Sequence, residues 1–452
     1  GDDGITGLVN IDMTPELALR VAQAFGSIVP SSSHVVVSRD PSRSARMLKR
    51  AVVAGLNATG CHVRDLRVAS PAVTRFTVRD TRCVGGVHVC VADTDPQTLE
   101  LHFYDAGGID LSAGMEKKVE RLYFRQEFRR AFFEQVGEIM YPPRALEYYT
   151  AGLEQALSLS GVPKWRFKVV ADLGMSPASF VLPLVAADWN LDLITLRAFT
   201  DSEKAPANGA ERDSQIAQLV HAVDVFQADF GVSFDSTAER ITLITGDGTV
   251  LDPDTALHAV VSLWCRGDAP TEGGCGVAVP VTASRVVESI AAECGRSVVR
   301  TGTSRRALSA ASLRDDIGFA GSRRGGFVFP QFLAAYDSMM SFGMVLRMLD
   351  RHETTLDEVV AALPPFYLRT RAVPCPFDRK GAVMRTMAAL GQTDEAEMVE
   401  GVRILTDDGW ALVLPHATEA VVYVYAEGAD DASADATVAR YVAAVEDAIA
   451  NG

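Results

Sequence analysis

Residues 85–96 read GGVHVCVADTDP, in which an apolar, valine-rich run leads into a short polar loop. The run predicts a β-strand, and the loop places Asp93 just beyond the end of that strand. Upstream, residues 34–37, a histidine followed by three β-branched valines, predict another strand, and residues 47–56 have helical spacing. Strand and helix patterns alternate in the same way at residues 168–171, 180–187, 193–196 and 241–244. This alternation is typical of α/β layers.

The same stretch resembles the active loop of the phosphoglucomutase/phosphomannomutase family, which reads Thr-Ala-Ser-His-Asn-Pro. Asp93 lies at the position of the phosphorylated serine, whereas Ala92 and Pro96 match the motif. The resemblance extends to the family's opening motif at residues 1–18 and to its Gly-Arg-Asp turn, where Arg39 is kept. A carboxylate cannot hold the stable phosphate ester that serine holds, because an acyl phosphate is activated toward water. The resemblance therefore implies the fold, together with an altered catalytic position.

The family's metal-binding loop is also recognisable. Residues 231–240 resemble it: Asp235 and Arg240 match, while Thr237 and Glu239 stand where aspartates belong. Three close carboxylates need a divalent cation among them, so the loss of one carboxylate weakens the site. The resemblance implies Mg²⁺ as the cofactor, and we expect Asp235 and Glu239 to bind it weakly or not at all. Two simply solvated carboxylates are the alternative.

Two further loops would contact the sugar phosphate. Residues 318–327 resemble the sugar-recognition loop, with Ser322 in place of its glutamate, and residues 410–420 resemble the phosphate-anchoring loop, with Leu414 in place of its arginine. From the positions of these loops and from the chemistry of the residues in them, we expect the substrate-binding residues to be Arg39, Arg240, Ser322, Arg323, Arg324, His416, Thr418 and Glu419.

Several of these residues have more than one interpretation. His102 lies where family members place a lysine that moves protons, and a histidine could do that work near neutral pH or be purely structural. Asp93 could accept a phosphoryl group or cap a helix N-terminus. Arg323 and Arg324, followed by two glycines, suit phosphate recognition but could equally form a solvated basic turn.

A closer resemblance lies within the family. Residues 102–112, 118–121, 128–130 and 380–385 are similar to the mutase-like C-terminal region of large bacterial mannose-1-phosphate guanylyltransferase-type proteins. The chain starts at Gly1, directly on the mutase-like opening, so we expect a nucleotidyltransferase domain upstream in a longer parent chain. The guanylyltransferase chemistry would then lie outside this sequence.

Three functional hypotheses follow. The first is a catalytically degenerate phosphohexomutase-like module of GDP-mannose-type metabolism, which binds a sugar phosphate or nucleotide and regulates or assembles the attached guanylyltransferase. The second is an active phosphomannomutase or phosphoglucomutase in which Asp93 replaces the phosphoserine. The third is a structural interaction domain. Substitutions in all four active-site loops favour the first, since phosphoryl transfer depends on positioning and charge neutralisation.

The domain organisation follows from the resemblance and from local breaks. The family implies an α/β fold with three similar α/β domains and a smaller C-terminal α+β domain around a central cleft. Residues 141–143, 267–276 and 374–376 are rich in proline or glycine and predict boundaries. We expect domains at residues 1–143, 144–262, 263–373 and 374–452.

The composition limits the classes of partner and the compartment that we expect for this protein. The 452 residues carry a net charge of -15, which opposes nucleic-acid binding. The seven cysteines are odd in number and lack CxxC spacing, which favours reduced thiols in the cytoplasm. No apolar stretch reaches the ~18 residues of a membrane span, so no membrane partner is expected. A homo-oligomer remains open.

Overall fold

The structure is a computed structural model that describes residues 4–92, 95–157, 165–203, 207, 209–268, 274–391, 396–397, 399–406, 409–417 and 419–451. The chain divides into two compact units. The first unit comprises residues 1–256 and 324–358, and the second comprises residues 257–323 and 359–452.

The first unit opens with an α/β layer around one six-stranded sheet. Its strand order is β1-β5-β4-β2-β3-β6; β4, β2, β3 and β6 are parallel, and β5 is antiparallel to both of its neighbours. The elements are β1 (Ile5–Leu8), α1 (Pro15–Ile28), β2 (His34–Arg39), α2 (Arg43–Ala58), β3 (His62–Val68), α3 (Pro71–Asp80), β4 (Gly85–Val91), β5 (Thr98–Tyr104), α4 (Ala113–Arg125), a 3₁₀ turn (Phe133–Gln135) and β6 (Ile139–Met140).

The sequence specifies these elements locally. Every residue of β4 is buried, as expected for a strand in a parallel sheet that is covered on both faces. The first three helices each begin after a hydroxyl residue whose side chain accepts a backbone N–H of the first turn, and these caps are Thr14, Ser42 and Ser70. Gly55 lets α2 approach α1 closely, because a Cβ there would lie 2.4 Å from the carbonyl oxygen of Leu19. The core of this layer therefore forms between closely packed helices and the sheet.

A second α/β layer in the first unit surrounds the sheet β10-β9-β7-β8, in which β8, β7 and β9 are parallel and β10 is antiparallel. Its small core contains Val170, Leu219, Val223 and Ile244. The elements are α5 (Ala145–Ala156), β7 (Lys168–Asp172), α6 (Ala178–Ala186), β8 (Asp192–Leu196), α7 (Gly209–Phe226), β9 (Phe230–Phe234) and β10 (Ile241–Thr245).

The next part of the chain contributes the parallel strands β12-β11-β13 to the second unit. In chain order the elements are α8 (Pro253–Leu263), a π-helical turn (Trp264–Asp268), β11 (Gly276–Pro280), α9 (Val286–Glu293), β12 (Val298–Thr301), α10 (Arg305–Ser312), β13 (Ile317–Gly321), β14 (Phe327–Val328), α11 (Ser338–Arg351) and α12 (Leu356–Ala361). Of these, β14 and α11 belong to the first unit.

The C-terminal part of the second unit is an antiparallel sheet with the order β15-β19-β18-β17-β16. Two helices pack on the sheet, and Val383, Met387, Val424 and Tyr441 lie in their shared core. The elements are β15 (Tyr367–Pro374), α13 (Phe377–Gly391), β16 (Ala396–Glu397), β17 (Val402–Thr406), β18 (Gly409–Pro415), β19 (Val421–Gly428) and α14 (Asp431–Asn451).

The predicted α/β fold class is confirmed: α/β layers precede an antiparallel α+β layer. The four domain boundaries stay a prediction. None of the described helices is long and apolar enough to cross a membrane. All seven cysteines belong to the described residues, and none of them forms a disulfide.

Candidate active site

The turn that follows β2 is hydrogen-bonded to the end of β4. The buried Asp40 carboxylate accepts the N–H of Val91 at 2.6 Å and the N–H of Ser42 at 2.8 Å. Burial raises the pKa of Asp40, against the lowering effect of these hydrogen bonds. Arg39, predicted to bind substrate, is buried beside it. Asp93 lies outside the described residues, so its catalytic position stays a prediction.

His102 is buried and paired. Its Nε2 lies 2.8 Å from a carboxylate oxygen of Glu100, and the Cys90 sulfur lies 4.0 Å from the same oxygen. Cys90 and Glu100 are direct cross-strand partners on β4 and β5, and His102 follows on the same face. These contacts fit the structural interpretation of His102, whereas its role in proton transfer stays a prediction.

Cys90, Glu100 and His102 together form a donor set for a metal ion. One ligand atom from each residue lies within 4.8 Å of the others, and no other three described histidine, cysteine or acidic residues bring their ligand atoms this close together. Sulfur, oxygen and nitrogen donors in this combination suit zinc or another transition metal better than Mg²⁺. The sequence prediction named only His102, although the two-residue period of β5 could have linked it to Glu100.

The predicted metal loop after β9 is closed by its own hydrogen bonds. One carboxylate oxygen of Asp235 accepts the N–H of Glu239 at 2.7 Å and the N–H of Arg240 at 3.1 Å. The hydroxyl of Thr237 lies between the two acidic side chains, 3.2 Å from Asp235 and 3.4 Å from Glu239. All three side chains are buried. In the family's loop an aspartate stands at the position of this hydroxyl, so the structure places a neutral donor where a third carboxylate would attract Mg²⁺.

In the first unit, the loop containing Arg324 and Gly325 packs against the start of β10. The N–H of Ile241 donates to the carbonyl of Gly325 at 3.0 Å, directly after Arg240. The guanidinium of Arg240 lies 5.9 Å from the ring centre of Tyr336. Arg324 itself is exposed. The fold thus brings the predicted residue Arg240 next to the glycine pair of the predicted sugar-recognition loop.

Asp337 follows this loop and caps α11. Its carboxylate accepts backbone N–H groups from Met339 at 3.0 Å and Met340 at 3.1 Å, and the hydroxyl of Tyr149 donates to both carboxylate oxygens at 2.7–2.8 Å. Burial raises the pKa of Asp337 to about 6, although these hydrogen bonds favour the charged form. Burial therefore keeps this carboxyl group protonated up to a higher pH than an ordinary aspartate.

The second unit carries two of the predicted substrate residues along one aromatic strip. The ring of His416 lies 6.0 Å from that of Tyr423, which lies 6.2 Å from Tyr425. The guanidinium of Arg323 lies 5.7 Å from the centre of the Tyr425 ring. We call these four residues, His416, Tyr423, Tyr425 and Arg323, the β19 strip. Its tyrosines were not predicted, although they alternate with buried valines along β19.

A lysine of α13 is hydrogen-bonded to the predicted phosphate-anchoring loop. The ammonium of Lys380 donates to the backbone carbonyls of His416 and Glu419. The N–H of Glu419 donates to Nδ1 of His416 at 3.1 Å, which assigns the proton of a neutral imidazole to Nε2. Leu414, at the position of the family's arginine, is buried. Ser322 is also buried, at the end of β13, and Thr418 lies outside the described residues.

The chain is similar to sugar-phosphate mutases. Residues 1–130 match the family described as "Phosphoglucomutase/phosphomannomutase, alpha/beta/alpha domain I", and residues 252–367 match the corresponding domain III. A phosphoglucomutase/phosphomannomutase from Thermococcus kodakarensis is 26% identical over 96% of this chain and 95% of its own length. A probable phosphoglucosamine mutase from Methanopyrus kandleri is 28% identical over 94% and 93% of the two chains.

Solved structures support the same fold. A phosphoglucomutase/phosphomannomutase family protein from Burkholderia thailandensis superposes with a TM-score of 0.84, at 19% identity, over 99% of this chain and 96% of its own. An N-acetylphosphoglucosamine mutase from Aspergillus fumigatus, in complex with GlcNAc-6P and magnesium, superposes with a TM-score of 0.62 at 15% identity, over 99% and 95% of the two chains. Magnesium is therefore bound by a protein of this fold.

Proposed function

This chain belongs to the phosphoglucomutase/phosphomannomutase superfamily, and we propose that it binds hexose or hexosamine phosphates without ordinary mutase turnover. The observation that carries the proposal is the metal loop. Its two acidic side chains are bridged by the Thr237 hydroxyl, and one Asp235 oxygen already accepts two backbone N–H groups. The loop's own donors therefore already hold Asp235, and a neutral hydroxyl stands where a third carboxylate would help to attract the Mg²⁺ on which charge neutralisation during phosphoryl transfer depends.

The β19 strip supports retained binding. A guanidinium, an imidazole and two tyrosine rings lie along one surface of the second unit. Aromatic faces suit the apolar faces of a sugar ring, and Arg323 suits a phosphate, because its planar fork donates two parallel hydrogen bonds. The names of the relatives indicate glucose, mannose and glucosamine phosphates as the compounds to test.

The finer part of the proposal places the protein in GDP-mannose-type metabolism. There it would regulate or assemble a sugar-1-phosphate guanylyltransferase that lies upstream in a longer chain. The support for this part is the resemblance of residues 102–112, 118–121, 128–130 and 380–385, given above. A homo-oligomer and a nucleotide ligand are further expectations of the same kind.

A coupled assay tests the loss of turnover. Mannose 1-phosphate, glucose 1-phosphate and glucosamine 1-phosphate are supplied with Mg²⁺ and the matching bisphosphate primer, and formation of the 6-phosphates is followed. We expect no turnover above background. Primer-dependent turnover that Asp93→Ala abolishes would overturn the proposal and support the second candidate, an active mutase, which the names of the relatives favour.

Calorimetric titration tests binding. We expect the three 6-phosphates to include a ligand whose affinity falls about tenfold or more in Arg323→Gln, since a hydrogen bond to a charged group contributes ~1.5–3 kcal/mol. The matched control is Arg371→Gln, which neutralises an exposed arginine on β15 whose guanidinium donates to the neighbouring Thr370 carbonyl. Absence of binding for all three compounds would favour the third hypothesis, a structural interaction domain.

A further inference from the structure

A cationic pocket lies in the first unit, between α2, β3 and the segment that contains β6. Its volume is about 550 Å³, which is within the range of small-ligand sites. Charged side chains dominate its lining: five are basic and one is acidic. They are Arg39, Arg46, Lys49, Arg50, Arg67 and Asp65.

The single lining carboxylate is already engaged. Asp65 forms an ion pair with Lys49, and its other oxygen accepts the backbone N–H of Arg67 at 2.7 Å. Within the part of the chain that the structure describes, Arg46, Arg50 and Arg67 form no ion pair. Three of the five positive charges around the pocket therefore form no ion pair, in a chain whose net charge is -15.

Arg39 brings a guanidinium into this pocket from the end of β2. It is only 8% exposed, and one of its nitrogens donates to the Asp40 carbonyl at 2.5 Å. Burial lowers the pKa of Arg39, and the positive charges of Arg46 and Arg50 lower it further, against the raising effect of Asp40 and Asp65. Such crowding costs folding free energy, which a bound anion would offset.

One wall of the pocket is apolar. The ring of Tyr141 and the side chain of Ile139 line it, and both are substantially exposed. The guanidinium of Arg67 lies 5.0 Å from the centre of the Tyr141 ring. A flat aromatic surface beside several guanidinium groups matches a ligand that has a planar ring at one end and phosphates at the other.

We propose that this pocket binds a nucleoside diphosphate. The diphosphate lies among Arg39, Arg46 and Arg50, whose forks suit phosphate oxygens, and the base lies against Tyr141. The assignment rests on the nucleotide ligand expected under the proposed function and gives it a site of its own: of the residues expected to bind the sugar phosphate only Arg39 lines this pocket, and none of the β19 strip does. The two sites can therefore fail or succeed separately.

Calorimetric titration of the full chain with GDP and with pyrophosphate tests the proposal. The double variant Arg46→Gln/Arg50→Gln removes two exposed charges of α2. Its control is Arg121→Gln/Arg125→Gln, which removes two exposed charges from α4 of the same layer. We expect both ligands to bind the wild-type chain, and the α2 variant to bind each of them at least about tenfold more weakly. The control should bind as the wild type does.

Two further measurements identify the parts of the ligand. Affinity for both ligands should fall with rising salt, because the phosphate contacts are ionic. Tyr141→Ala should lower the affinity for GDP and leave the affinity for pyrophosphate unchanged. Equal binding of pyrophosphate and GDP, both insensitive to Tyr141→Ala, would overturn the nucleoside assignment and leave an inorganic anion site.

Other outcomes would refute the proposal that this pocket binds a phosphate ligand at all. These are the absence of binding for both ligands, or equal affinities in the α2 variant and its control. Loss of GDP binding in Arg323→Gln, without any change in the α2 variant, would place the nucleotide on the β19 strip instead. Circular dichroism melting of each variant checks that it is folded, which is expected because the substituted side chains of α2, α4 and Tyr141 are exposed and Arg323 is only half-buried.

Discussion

The buried carboxyl group of Asp337 should make stability depend on pH between about 4 and 6. Asp337 is 2% exposed, and its pKa is about 6 in the folded protein against 3.8 in an unperturbed chain. Because the folded pKa is the higher one, the stabilising contribution is complete below pH ~4 and is lost as the pH rises through ~6. A shift of about two pKa units corresponds to about 3 kcal/mol.

Asp337→Asn isolates this contribution. The asparagine keeps an oxygen for the N–H groups of Met339 and Met340 but cannot ionise. We therefore expect the stability of the wild type relative to the variant to fall by about 3 kcal/mol between pH 4 and pH 7. Urea unfolding followed by tryptophan fluorescence measures it, since the ring of Trp189 lies 6.1 Å from that of Phe342 in α11.

Tyr149→Phe provides the companion measurement. The hydroxyl of Tyr149 donates to the Asp337 carboxylate and lowers its pKa, so its removal should move the transition to higher pH. A stability difference between wild type and Asp337→Asn that stays constant from pH 4 to pH 7 would refute the reasoning. A difference that grows in favour of the wild type with rising pH would show that the sign is wrong.

Two substitutions test the loops. Thr237→Asp should lower the melting temperature in EDTA, because it adds a third buried carboxylate. Mg²⁺ at ~100 times its dissociation constant should then raise the free energy of unfolding of this variant by about 2.7 kcal/mol. An equal effect of Mg²⁺ on the wild type would contradict this. Gly325→Ala should destabilise the protein by about 2 kcal/mol or more, because Gly325 has a φ of +75° and an added Cβ would lie 2.1 Å from the Ile241 carbonyl oxygen. The control Gly114→Ala, in the exposed helix α4, should be neutral or stabilising, and equal losses in the two variants would refute the steric argument.

Local patterns predicted much of the fold. The β-branched run at residues 34–37 lies within β2, and the helical spacing at residues 47–56 lies within α2. Residues 168–171 and 241–244 likewise lie within β7 and β10. These predictions succeeded because an apolar β-branched run and the spacing of apolar residues along a helix are properties of neighbouring residues.

The candidate site was predicted less completely. The sequence named His102 alone, whereas the antiparallel register of β4 and β5 sets Cys90 and Glu100 beside it. His416 meets Tyr423 because Pro415 pairs with Val422 in the β18–β19 ladder. The register between two strands depends on how they pair in the folded sheet, so it cannot be read directly from one sequence.

The sequence by itself determined the fold family and the chemical identity of the altered loops, because both follow from residue types at known spacings. It named Arg39 but not the pocket around it. Only the tertiary structure brought the end of β2, one face of α2 and the edge strand β6 around a shared cavity. It also decided which charges are buried, and burial is what separates Asp337 from an ordinary carboxylate. Charge and shape are local properties, whereas desolvation depends on what the rest of the chain places nearby.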